Sequence, residues 1–272
     1  MDDRKFIDRC RIAAVLIPAV LFMLICITPE DIYAEEIHPA VSLTAVGERL
    51  KPVKKFAGVE MVLITGIKLQ EFWISRYEVS QELYESVTGT NPSYFKSGKN
   101  PVEQVSWFNA VEFCNKLSSK AGFSFYYNID KEKDDPENKN SGIKWTVTVN
   151  KDADGFRLPT SLEWEYAARA GSSGKYFWGD VMNGDYCWYS GNSGNKTHPS
   201  GIKKPNANGI FDISGNVQEW CFDWHPSFPG LYRVVRDGHF CIDEDNMQVA
   251  KIDYRSPQFE FGFTGIRLAK NK

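Results

Sequence analysis

The stretch Phe156-Arg-Leu-Pro-Thr-Ser-Leu-Glu-Trp-Glu-Tyr-Ala-Ala-Arg-Ala-Gly171 carries the first decision about fold. Thr160 and Glu163 have the spacing of a capping box, in which each side chain accepts a hydrogen bond from the other residue's backbone N–H. This predicts a short helix through Arg169, ended by Gly171. Upstream, Ser106 predicts a longer helix through Ser118, with Phe108, Val111, Phe113, Cys114 and Leu117 as its apolar stripe. Ser80 caps a third segment over Gln81 to Val87, stopped by Gly89 and the Asn91-Pro92 turn. Strands are predicted at Val59 to Ile64, Phe72 to Val79, Ile143 to Val149, Tyr232 to Arg236 and Thr264 to Ala269. Residues 130–142 read as a solvated, charged excursion. They are no calcium loop, because Asp135 occupies the sixth position where such a loop needs Gly. The pattern is α+β: two main helices with short, mostly antiparallel strands and long loops.

Composition narrows the function classes. The chain has 272 residues, 32 Lys+Arg against 35 Asp+Glu, 42% hydrophobic and 14% aromatic content. That supplies a core and excludes wholesale disorder. A net charge of −3 argues against a nucleic-acid partner, which would demand a basic excess. Residues 1–34 read as an export signal: Arg4, Lys5, Arg9 and Arg11 precede the uncharged 16-residue run Ile12 to Ile27, too short to span a membrane comfortably. Cleavage is expected either after Ala34 or just before Cys26. In the second case Cys26 is the acceptor of a membrane-tethering lipid, although Ile25 is larger than the residue a lipobox usually places there. Residues 35–55 follow as a tether and 56–272 as the main domain. Cys114, Cys187, Cys221 and Cys241 show neither a CxxC motif nor metal-type pairing.

Ten segments, in order, carry a resemblance. They include Arg76-Tyr-Glu-Val-Ser80, Asn91-Pro-Ser-Tyr-Phe95, Pro101-Val-Glu-Gln-Val-Ser-Trp107, the two halves of the opening stretch, Gly215-Asn-Val-Gln-Glu-Trp220 and Gly265-Ile-Arg-Leu268. The chain resembles the formylglycine-generating enzyme, or sulfatase-modifying-factor, family, whose fold is a variant of the C-type lectin fold. The resemblance implies copper-dependent oxidation by two nearby cysteines. The matching stretch, Arg236 to Asn246, has Cys241 and no second cysteine, so a copper oxidase remains only an alternative, since two thiolates suit Cu(I) and one does not supply the pair. A related iron branch needs three histidines, and His38, His198, His225 and His239 show no ligand spacing. For the turn Asp212 to Glu219 the resemblance implies a structural calcium site, with carboxylates from Asp212 and Glu219 and carbonyls from Gly215 and Val217; the competing expectation, slightly preferred, is that Asn216 and Glu219 merely hydrogen-bond the turn. No other cofactor is expected.

Residues 237–263 are similar to the variable region of retroelement-diversified C-type-lectin proteins. In those proteins altered AAY codons never yield Lys, Met, Trp, Gln or Glu. Three patches satisfy that rule: His239, Phe240, Cys241, Ile242 and Asp243; then Ile252, Asp253, Tyr254, Arg255 and Ser256; then Phe261, Gly262 and Phe263, with Phe259 beside them. Aromatics among small polar residues also suit a binding surface, because they give large contact area with few rotatable bonds. These fourteen residues are the expected ligand-binding set, with at least two of Tyr254, Phe259, Phe261 and Phe263 exposed. The competing expectation is that the three Phe alternate along a strand's inner face. The function implied is a non-enzymatic, exported, receptor-like protein whose partner is an external protein. Calcium-dependent glycan binding is an alternative that lacks the Glu-Pro-Asn or Gln-Pro-Asp triplet.

Overall fold

The structure, a computed structural model, describes residues 51–66, 69–140 and 142–272. The signal, Cys26 and most of the tether lie outside them. The described chain is α+β with three α-helices and eleven strands. Strands β1 (Val53–Phe56), β2 (Val59–Ile64), β3 (Phe72–Ser75), β11 (Ala269–Asn271) and β6 (Phe156–Arg157) form a five-stranded antiparallel sheet in that order. A second sheet has the order β10 (Thr264–Gly265), β7 (Gln218–Trp224), β8 (Arg233–Arg236) and β9 (Ile252–Arg255), with β10 parallel to β7. Strands β4 (Tyr127–Asp134) and β5 (Trp145–Val149) make a separate hairpin.

The core follows from the two-residue alternation of strands. On β2, Val59 and Met61 face one apolar cluster, whereas Val62 and Ile64 face another; on β7, Trp220 and Cys221 divide the same way. Helix α2 (Trp107–Lys120) fills the first cluster, and α3 (Ser161–Arg169) fills the second through Trp164, Ala167 and Ala168. Both sheet faces are therefore covered. Two deep indoles join α2 to β7, with Trp107 Nε1 donating to the Cys221 carbonyl at 3.0 Å and Trp220 Nε1 to the Val105 carbonyl at 2.9 Å. A buried indole N–H without such an acceptor would cost about 1–3 kcal/mol.

Local signals place the helices. Thr160 and Glu163 form the reciprocal capping box, Ser106 forms one with Asn109, and Ser80 caps α1 (Gln81–Thr88), which ends at Gly89 with φ 82°. Three expectations are corrected. The tether's end is already paired, since β1 begins at Val53. Part of the charged excursion is ordered, because residues through Asp134 belong to β4, where Lys131 covers the Trp145 ring at 4.2 Å. The predicted strand Thr264 to Ala269 is two strands in different sheets. Between them, buried Arg267 pairs with Glu219 and donates to the carbonyls of Ser75, Phe211 and Asp212. Those contacts pin the crossing between sheets. Among the described residues no helix is long and apolar enough to cross a membrane.

Candidate ligand-binding surface

The segment from Asp237 to Phe263 leaves β8, turns through a short 3-10 helix (Glu244–Asn246), returns as β9 and loops into β10. Backbone bonds fasten it at several points. Phe240 N–H donates to the Asn216 carbonyl at 2.9 Å, Trp107 N–H to the Pro257 carbonyl at 3.0 Å, and Gln104 N–H to the Phe261 carbonyl at 3.0 Å. The loop is thus a rigid surface feature supported by α2 and β7.

Fixing it this tightly buries part of the expected ligand set. His239, Phe240, Ser256, Gly262 and Phe263 are buried, and these five are corrected from ligand contacts to supports. His239 stacks on Phe263 with ring centroids 4.4 Å apart, and Phe240 meets Phe95 edge-on at 5.4 Å. Ser256 Oγ donates to Asn140 Oδ1 at 3.1 Å. Burial, reinforced by the Arg255 charge, pushes the His239 imidazole down to about 3, so it is neutral at physiological pH. Its Nδ1 lies 3.3 Å from Cys241 Sγ.

The rest of the set reaches solvent. Asp243, Ile252 and Phe259 are exposed, with Phe259 at 55%; Cys241, Ile242, Asp253, Tyr254, Arg255 and Phe261 are half-buried. Of the four aromatics, only Phe259 is exposed, where at least two were expected. They do not alternate along a strand either, because 259–263 is loop and exposure falls steadily from Phe259 to Phe263. Arg255 donates from Nη2 to Gln218 Oε1 at 2.8 Å and pairs with Asp253 at 3.0 Å; Gln218 Nε2 also reaches Asp253. Burial alone would raise the Asp253 carboxyl, but Arg255 and these hydrogen bonds hold it below the ordinary range.

Sequence reading missed neighbours from other elements. Tyr94 and Phe95 pack with Phe240, Cys241, Phe261 and Phe263. Glu103 lies beneath them, wholly buried, with Oε1 accepting from the Phe95 N–H at 2.9 Å and Oε2 without a partner. His225, Phe228 and Tyr232 surround Tyr254. The signal for these was the stretch His225-Pro-Ser-Phe-Pro-Gly-Leu-Tyr232, where prolines and glycine hold aromatics outside regular structure.

Both carboxylates of the expected calcium set have protein partners. Both Glu219 oxygens are taken by Arg267, at 2.8 and 2.9 Å from its Nε, and Oε2 also accepts from Trp164 Nε1 at 2.5 Å. Asp212 Oδ2 accepts from the Gly201 N–H at 2.5 Å, while Val217 N–H donates to Glu78. Gly215, at φ 87°, brings its backbone against Trp188, where a Cβ would lie 2.3 Å from the carbonyl oxygen. Among the described residues no group of three or more His, Cys, Asp or Glu is placed to hold a metal ion. The turn is instead a buried carboxylate network. Burial, then neighbouring carboxylates, push Glu78 and Asp237 well above the usual range, and burial raises Asp212 to about 6.

Residues 60–272 match the sulfatase-modifying factor enzyme 1-like domain. The chain belongs to that family. It is 41% identical over 233 residues to "Chaperone protein LppX" of Paenibacillus barcinonensis, covering 76% of this chain and 82% of that one. It is 33% identical over 148 residues to the formylglycine-generating enzyme of Streptomyces coelicolor, covering 43% of this chain and 47% of the enzyme. Among solved structures, Treponema denticola variable protein 1 superposes with a TM-score of 0.72 at 31% identity, covering 82% of this chain and all of that one. PvdO from Pseudomonas aeruginosa shares the fold, with a TM-score of 0.60 at 20% identity. The C-type-lectin-like scaffold of variable proteins is therefore the fold of this chain. The copper pair of the family's oxidases does not fit it: Cys241 stands alone in its segment, while Cys114, Cys187 and Cys221 are buried, with burial pushing each thiol up.

Proposed function

We propose that the chain is a non-enzymatic binding protein that presents residues 241–261 to a polypeptide ligand outside the cytoplasm. The observation that carries this reading is the pairing of an exposed Phe259 with a base fastened to α2 and β7, which lowers the ordering cost of binding. The lone Cys241 supports the absence of copper oxidation. The relative described as a chaperone protein favours a polypeptide over a glycan, and the likeness to a variable protein favours a displayed binding surface on this scaffold. Export, with acylation at Cys26, belongs to the same proposal. One acyl chain binds a membrane only marginally, so stable tethering requires more than one.

Diversification by a retroelement is a finer reading of the same surface. It is favoured by the similarity to the variable protein and is confined to the exposed and half-buried positions, because replacing His239, Phe240 or Phe263 would disrupt packing. An imperfect genomic copy of the coding sequence for 237–270, differing only at adenines, supports it; absence of such a copy removes it. The binding function is tested by affinity capture with the full chain and its Phe259→Ser variant, alongside oxygen uptake with copper and a Cys-containing peptide. A polypeptide enriched by the parent and lost with the variant, without oxygen uptake, is the expected result. Copper-dependent oxygen uptake would restore the oxidase alternative.

A further inference from the structure

Strand β9 is an edge. In the order β10-β7-β8-β9 it pairs with β8 alone among the described strands. Its Tyr254 N–H donates to Asp253 Oδ1 at 2.8 Å, so that group points away from β8, and the two-residue alternation points the Ile252 N–H the same way. The edge is flanked by rings on both faces. On the Tyr254 face, His225, Phe228 and Tyr232 lie with centroids 4.8, 5.1 and 4.9 Å from the Tyr254 ring. On the Arg255 face, the guanidinium sits 5.7 Å from the Phe261 ring, which meets Phe259 at 6.2 Å. Phe228 is 39% exposed and Ile252 38%. Between residues 241 and 263 there are five acids against two bases; Arg255 pairs with Asp253 and Asp245 with Lys175, which leaves Asp243, Glu244 and Glu260 against Lys251.

These features call for one kind of occupant. A row of outward backbone groups is complemented by another backbone, rings on both faces by alternating apolar side chains, and the acidic segment by basic residues. We propose that a basic, extended segment of the protein ligand adds as a strand along the outer edge of β9, its alternate side chains resting on the Tyr254 cluster and on Phe259 and Phe261. The incoming carbonyl replaces Asp253 Oδ1 as acceptor for the Tyr254 N–H, and an incoming N–H replaces Arg255 Nη1, which donates to the Tyr254 carbonyl at 2.7 Å. The inference rests on the reading that residues 241–261 bind a polypeptide, and adds how that polypeptide is held.

The test uses the full chain and labelled ten-residue peptides in which Lys-Lys pairs alternate with Val-Tyr pairs, so that each face of the strand carries both kinds of side chain, read by fluorescence anisotropy. Two further versions carry N-methyl groups on one alternate set of amides or on the other, and a fourth has Glu for Lys. Edge addition uses every second amide, so methylating one set abolishes binding while methylating the other is tolerated. The Glu peptide binds more weakly, and Phe228→Ser weakens the Lys peptide by at least about tenfold, as expected of an aromatic anchor. Equal binding of both methylated peptides, no effect of Phe228→Ser, or no binding by any peptide would overturn the inference. Loss with Phe259→Ser but not with Phe228→Ser would leave the proposed surface intact while removing the docking edge.

Discussion

Glu103 lies wholly buried under the loop that carries Tyr94 and Phe95. Burial pushes its carboxyl from an ordinary 4.5 up to about 7, despite the Phe95 and Tyr94 amides and the charge of Lys96. The folded state therefore holds this proton more tightly than the unfolded chain. The resulting stability is fully present below pH 4.5 and is lost as pH rises through about 7. A shift of this size corresponds to about 3 kcal/mol, at about 1.4 kcal/mol per unit. Glu103→Gln removes the ionisation and keeps an oxygen for the Phe95 N–H, but leaves amide hydrogens where Oε2 has no partner, at a cost of about 1–2 kcal/mol. The variant should gain about 1–2 kcal/mol over the parent at pH 8 and lose a similar amount at pH 4.5. Urea unfolding of both proteins at the two pH values measures the difference, and the other buried carboxylates cancel in the comparison. A difference between parent and variant that is the same at both pH values would refute the reasoning.

Three further outcomes are expected, two from the geometry and one from the proposed acylation. Arg267→Met strands the buried Glu219 carboxylate and should destabilise the fold by about 3–5 kcal/mol in urea titration, with the double variant Arg267→Met/Glu219→Leu recovering part of that loss. Because Arg267 occupies Glu219, adding EGTA should leave the thermal midpoint unchanged by differential scanning fluorimetry; a clear drop would place a structural calcium in the protein. Cys26→Ser should abolish incorporation of labelled palmitate in cells and release the domain from membranes; continued membrane retention without label would point to an uncleaved anchor instead.

The helix positions were legible because their signals are local. Ser80, Ser106 and Thr160 each satisfy an amide within three residues, and the structure keeps all three caps. The split of residues 264–269 between two sheets was not legible, since it depends on Arg267 meeting Glu219, 48 residues away in sequence. The strand before Asp134 was hidden by charge: only one side of the hairpin meets the core, so its composition resembles a loop. In the candidate surface, codon-permitted residue types marked a region but not depth. His239 and Phe263 pass the codon rule, yet they stack on each other below the surface. Phe228 and Tyr232 escaped because they precede the segment and reach it only through the β7–β8 hairpin.

The proposed function places a polypeptide against residues 241–261 when the protein is at work. A photo-crosslinking amino acid at position 259, in the full chain produced in its native cells, tests it most directly. Position 162, also exposed but on α3, is the control. A discrete polypeptide adduct from position 259 and none from 162 is the expected result. No adduct from 259, or the same adducts from both positions, would contradict it.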